Sequence, residues 1–172
     1  LELKQAMEKV TQQLMERGRV LSDMRLEAAR QLGVAVTRQL QALGFEHGSF
    51  EVELTETDPR ATGIDEIEFG FAPNKGEPMK PLRAIASSGE ISRVMLATKV
   101  VLAGHDRIPL LVFDEIDANV GGEMGNAIGE KLAEVSTNHQ VVCITHLPQV
   151  AVHGTTHFAV SKYVEDERTF TT

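Results

Sequence analysis

The 172 residues include 17 Lys and Arg against 25 Asp and Glu, a formal net charge of −8, with 42% hydrophobic and 24% charged residues. That composition fits a globular domain with room for one sizeable core, and it excludes a uniformly basic nucleic-acid-binding surface while leaving a local basic patch open. The single cysteine, Cys143, excludes an internal disulfide and suits a reducing, cytoplasmic compartment; inside the apolar run 141–144 it reads as a small core residue rather than a nucleophile. No stretch has the length and apolarity of a membrane span and no signal peptide is visible. A chain that begins at Leu1 reads as a piece of something longer.

From Leu1 to about Leu43 there is no proline, and two glycines interrupt a strongly helical composition. Met7, Leu14, Leu21, Ala28 and Ala35 form one heptad column; Leu3, Val10, Arg17, Met24 and Gln31 form the other. The seam is good at the start and decays through Arg17 and Gln31, as at the end of a coiled coil merging into a globular domain. An amphipathic helix packed on the domain's own core is the alternative. Gly18 and Gly33 are expected to mark bends. Basic residues exceed acidic ones here, which allows a DNA-facing stalk or simply a solvated helix face.

Beyond Gly44 the pattern alternates. Phe50, Val52 and Leu54 predict one strand and Ile67, Phe69 and Phe71 a second, joined as an antiparallel hairpin by a long loop containing Asp58, Pro59 and Gly63. The prolines of residues 73–81 predict a loop. A helix is expected from Ser88 to about Ala103, with Ile91, Val94, Met95, Thr98, Val101 and Leu102 facing the core. Leu110–Phe113 then predicts a strand buried on both faces, residues 123–135 a helix, residues 141–145 a further buried strand, and Phe158 with Val160 a final short strand. Helices alternating with short strands indicate an α/β organisation.

Three stretches carry chemistry. The strand Leu110–Phe113 runs directly into Asp114 and Glu115, and open parallel sheets bind ligands at the carboxyl ends of their strands. Neighbouring strand residues face opposite ways, so the two acids are expected to have separate jobs: Asp114 for magnesium and Glu115 beside an attacking water, the pattern of an ATPase; a solvated loop that happens to begin with acids is the alternative. In Ala86-Ser87-Ser88-Gly89-Glu90, Ser87 and Glu90 have the spacing of a capping box, which alone explains both residues. The same helix start could also bind phosphate through its free N–H groups and partial positive charge. In the third stretch His146, at the end of the strand after Ile144, could reach a phosphate or the attacking water, or could be a structural turn residue. His153 and His157 make a poor zinc pair, with Gly154 between them in strand-like surroundings. Arg93 and Lys99 could meet DNA or another copy of the domain, but a solvated helix face is the plainer reading.

In order, these stretches resemble the C-terminal half of an ABC-type ATPase head: ASSGE its signature motif, LLVFDE its Walker B segment, and His146 its switch histidine. The adjoining helix points to the SMC-like branch. Within that branch SGEISRVMLATKVVLA, FDEIDANVGGE and ITHLPQVA are similar to the RecN family of bacterial DNA-repair proteins, over nearly the whole chain to about Ser161. The resemblance implies the C-terminal lobe of a P-loop head with a mostly parallel sheet, divided into a stalk-end helix, residues 1–43, and half a head, residues 44–172. It implies ATP and Mg2+ as cofactors, with Asp114 holding the metal through water. Glu115 and His146 would be catalytic, and Ser87, Ser88, Gly89, Glu90 and Asn119 would bind the nucleotide, Asn119 within the interface loop 118–121. Asp117 would only lead into that loop. Implied partners are the N-terminal, phosphate-loop lobe of the same head, a second head as homodimer, and DNA, at a cytoplasmic, nucleoid-associated location.

Two positions depart from the pattern. Ser88 stands where the signature has its first glycine, and Ser88→Gly is expected to preserve or raise activity; Gly121 stands where SMC-type loops commonly end in an acid. No G-x-x-x-x-G-K-[ST] segment occurs in the sequence, so the β- and γ-phosphates would have to be cradled from elsewhere, and the chain alone is expected to be nearly inactive.

Overall fold

The computed structural model describes residues 2–105, 107–165 and 168–171. Helix α1 (Glu2–Ala42) takes up the proline-free start of the chain. It ends at Gly44, whose φ of 89° is left-handed, while the Phe45 amide donates back to the Leu40 carbonyl at 3.1 Å. This is the glycine-terminated cap in which the residues flanking the stop also touch, and Leu40 and Phe45 both enter the core. The helix runs unbroken through Gly18 and Gly33, so neither marks an interruption. Both mark close approaches instead: a Cβ at Gly18 would meet the Ile64 side chain at 2.8 Å, and one at Gly33 the Phe50 carbonyl at 3.2 Å.

The partner in those approaches is an antiparallel hairpin, β1 (Ser49–Arg60) and β2 (Gly63–Ala72), extended by the two-residue β3 (Lys80–Pro81). Phe50 pairs with Phe71, Val52 with Phe69 and Leu54 with Ile67, which puts the apolar set on one face. The connection is two residues, Ala61 and Thr62, rather than a long loop. Pro59 lies inside β1, an outer strand whose register shifts between Glu56 and Arg60, so its missing N–H is tolerated. The tip is clamped to α1: Arg25 Nη1 lies 2.9 Å from an Asp65 carboxylate oxygen, Ser22 Oγ donates to the other at 2.6 Å, and Arg25 Nη2 donates to the Thr62 carbonyl at 2.6 Å.

A 3-10 turn (Leu82–Ala84) leads to α2 (Ser88–Leu102), β4 (Leu110–Phe113), α3 (Gly122–Ser136), β5 (Gln140–Cys143) and the single turn α4 (Pro148–Ala151). β4 and β5 pair in parallel, Leu111 opposite Val141 and Phe113 opposite Cys143; the other strand pairs among the described residues are antiparallel. One core joins Val36, Leu40 and Leu43 at the end of α1 to Phe50 and Phe71, to Val94, Leu96 and Ala97 of α2, to Leu111 and Phe113, and to Ile128, Leu132 and Val135 of α3. On α2 the buried set is therefore shifted from expectation, with Met95 exposed and Leu96 and Ala97 inside.

Two further expectations are corrected. β4 is covered on one face only: Leu111 and Phe113 are buried, but Leu110 and Val112 are exposed, as are Val142 and Ile144 beside them. Among the described residues nothing buries the outer face. Phe158 and Val160 form no strand and are exposed; the last strands are β6 (Lys162–Glu165) and β7 (Arg168–Thr171), an antiparallel pair. No helix among the described residues is long and apolar enough to cross a membrane.

Candidate functional site

The site is assembled where the start of α2 meets the exit of β4. Ser87 caps α2, its hydroxyl accepting from the Glu90 amide at 3.4 Å, so the capping role read from the sequence is present. Ser88, exposed on the first turn, donates its hydroxyl to the Glu115 carboxylate. Gly89 is buried against the same loop: a Cβ there would lie 3.1 Å from Ala118 Cβ and 3.3 Å from the Glu115 carbonyl. One turn on, Ser92 Oγ donates to the Asp114 carbonyl at 3.0 Å and Arg93 Nη1 to the Ala118 carbonyl at 3.3 Å. The first two turns of α2 and residues 114–118 thus form one packed unit.

Within it β4 has already ended at Phe113, and Glu115 has φ 55°, left-handed and unusual for a residue other than glycine or asparagine. The separation of the two acids therefore comes from this backbone turn, not from strand alternation. Holding a non-glycine residue there costs about 1–2 kcal/mol, and such positions cluster at functional sites. Asn119, exposed in the following loop, has φ 59°, which its short amide side chain tolerates. The Asp114 carboxylate is exposed and makes no hydrogen bond or ion pair among the described residues. No group of three or more His, Cys, Asp or Glu is arranged there to cage a metal. The donor set suits a magnesium ion bound by one carboxylate, water and phosphate oxygens.

β5, parallel to β4, delivers the second loop. Asp117 is only 2% exposed, and its Oδ2 accepts from the Thr145 hydroxyl, from the His146 amide at 3.0 Å and from the Leu147 amide at 3.2 Å. Burial pushes its carboxyl pKa up, but these hydrogen bonds outweigh burial and hold it below the usual 3.8. The His146 ring is 73% exposed, its Nδ1 3.3 Å from the same oxygen. Ser88, Gly89 and Glu115 are therefore together, and His146 is tied to their loop through Asp117; among the described residues nothing bonds His146 directly to Asp114 or Glu115.

Sequence reasoning missed Asp117 and Thr145 as anchors and misjudged Arg93. That guanidinium is not a solvated group: it lies 5.0 Å from the Phe45 ring centre, its Nε is buried without a partner among the described residues, and burial lowers its pKa against the opposing charge of Glu90. The available signal was its spacing, one turn beyond Gly89 on the face that meets the loop. Cys143 is half-buried, and burial raises its thiol to about 11, which makes it inert at neutral pH. His153 and His157 each hold a protein acceptor, Asn126 Oδ1 at 2.9 Å and the Ala151 carbonyl at 2.8 Å.

No protein-family model matches the chain. Among curated proteins, the DNA repair protein RecN of Halalkalibacterium halodurans is 41% identical over 166 residues, covering 94% of this chain and 29% of that protein. RecN of Xylella fastidiosa is 43% identical over 145 residues (83% and 26%), and RecN of Bacillus subtilis 36% over 185 residues (98% and 32%). Among solved structures, the Smc head domain with a coiled coil and joint from Pyrococcus yayanosii superposes with a TM-score of 0.64 at 20% identity, over 99% of this chain and 32% of that one. The Smc head domain with an extended coiled coil from Pyrococcus furiosus, solved with the C-terminal domain of ScpA, gives 0.61 at 20% identity, over 98% and 40%. The fold is that of part of an SMC head domain. The chain spans less than a third of its curated relatives' length, corresponds to their C-terminal part, and belongs to the RecN family.

Proposed function

We propose that this chain is the C-terminal half of an ATPase head used in DNA double-strand-break repair and recombination, as part of a longer RecN-type protein acting in the cytoplasm at the nucleoid. The observation that carries this reading is the packed unit at the exit of β4, where Asp114 and Glu115 emerge against the start of α2 and Ser88 touches Glu115. ATP and Mg2+ supply the reacting phosphoryl group and its charge neutralisation. Asp114 would hold the metal through water, and Glu115 would orient or deprotonate the attacking water. Ser87, Ser88, Gly89 and Glu90 present the start of α2 to the γ-phosphate of a nucleotide on an opposing head. Asn119, in loop 118–121, lines the interface between heads, and His146 contacts the γ-phosphate bound on its own side.

The partner of this reading is the N-terminal lobe of the same head, which would supply the phosphate loop and cover the exposed apolar outer face of β4 and β5. By itself the chain would bind ATP poorly and hydrolyse little. Two completed heads would close on ATP as a homodimer and part after hydrolysis, moving the coiled coil begun by α1 around or along DNA. In the full-length protein, Glu115→Gln is expected to lower ATP turnover by about 10²–10⁴-fold and to abolish repair, while ATP-dependent head association persists. Near-parental turnover in that variant would overturn the assignment.

A further inference from the structure

A buried carboxylate is costly unless its charge is hydrogen-bonded, so what it bonds to indicates why it is retained. Asp117 directs one oxygen at a single target, the first residues after β5: the Thr145 hydroxyl, the His146 and Leu147 amides, and, at 3.3 Å, the His146 ring. Thr145 Oγ also accepts from the Leu147 amide at 3.0 Å, closing a small network around the backbone of His146. The ring itself stays open to solvent, 73% exposed. Its backbone is fixed and its side chain is left available.

On the other side, Asp117 belongs to the turn that leaves the catalytic acids. The Ala118 amide donates to the Glu115 carbonyl at 3.0 Å, and the Val120 amide to the Asp117 carbonyl at 3.2 Å. Displacing residues 118–121 therefore carries Asp117 with them, and Asp117 carries the anchored loop at His146. We infer that Asp117 is a positioning residue: it sets His146 for the phosphate and links that setting to the loop facing a second head. This rests on the role proposed above for His146. A mere staple between two loops would hold the fold equally well, and the difference lies in whether Asp117 acts through His146.

A double-mutant cycle in the full-length protein separates the two. Asp117→Ala is expected to lower kcat about 10–100-fold with KM for ATP changed less than about 2-fold, and Asp117→Asn, which keeps an acceptor oxygen, to recover part of the loss. In a His146→Ala background, Asp117→Ala is expected to change kcat by less than about 2-fold, because the group it positions is gone. Should Asp117→Ala prove insoluble, Thr145→Val removes one donor from the network, and its smaller loss, about 2–5-fold, is expected to vanish in the same background. Losses that multiply across the cycle would overturn the inference and leave Asp117 a staple. If His146→Ala alone left kcat at the parental value, both the role of His146 and this inference would fall, whereas the ATPase reading stands or falls separately on Glu115→Gln.

Discussion

The root of the hairpin and the outer face of β4 and β5 are built from the same kind of residue and meet opposite fates. Phe50 and Phe71 pair across β1 and β2 and are buried by the end of α1, with Phe45 set edge-on to Phe71 at a centroid distance of 5.0 Å. Leu110, Val112 and Val142 on the paired strands β4 and β5, and Ile144 just beyond β5, stay exposed among the described residues. The first region completes itself within this chain. The second stays exposed among the described residues, and the acids of the candidate site follow directly on one of its strands. Stability and chemistry are thereby divided: the hairpin side is packed within this chain, and under the function proposed above the strand-end side is where an N-terminal lobe would dock.

The largest effect should come from breaking the finished side. Phe71 is 1% exposed, and Phe71→Ala would leave a cavity under α1 and remove the edge-to-face contact with Phe45. The expected loss is about 3–5 kcal/mol of unfolding free energy, read from urea denaturation of the chain. A loss below about 1 kcal/mol would mean that the hairpin root is not part of the cooperative core.

Much of this division could be read beforehand where local chemistry dictates local structure. The cap pair Ser87 and Glu90 placed the start of α2, the lack of proline placed α1, and the apolar run before Asp114 placed β4. Coverage of a strand is different, because Leu110 and Val112 have the same composition whether or not a neighbour packs on them. The hairpin turn was misread for a related reason: Pro59 breaks a central strand but is harmless in an outer one, and strand order is not a local property. Asp117 was hidden in a run of acids, with its partners 28 to 30 positions away, so only the pairing of β4 with β5 gives it a role.

An intermediate effect should appear in acid. Asp117 on the site side and Asp65 on the hairpin side both have carboxyl pKa values below the usual 3.8, Asp117 because its hydrogen bonds outweigh burial, Asp65 chiefly through its bonds from Ser22 and Arg25. A folded-state pKa below the unfolded one contributes stability that is present above 3.8 and lost as pH falls through the lower folded value. Asp117→Asn should therefore cost about 1–3 kcal/mol near neutral pH, and its deficit should shrink between about pH 5 and about pH 2, as the parent loses the same charge. Thermal melts of both proteins across that range test the sign. A deficit that grew in acid would mean that the carboxyl is protonated more readily in the folded state, contrary to its bonding.

The smallest effect on the chain, and the sharpest test of the contrast, belongs to Val112. At 61% exposed it gives up little on becoming threonine, a residue of the same shape and equal suitability for a strand, so Val112→Thr should shift the unfolding free energy of this chain by less than about 0.5 kcal/mol. The same substitution should weaken association with a separately supplied N-terminal lobe. There the new hydroxyl would be buried without a partner, at a cost of about 1–3 kcal/mol, or roughly a 5- to 150-fold rise in Kd. Titration calorimetry between the two lobes measures it. Equal Kd values for the parent and Val112→Thr would place the lobe contact elsewhere, and a large loss of stability in the isolated chain would show that Val112 is already covered. A small change in one measurement with a large change in the other is the signature of a surface built to be completed.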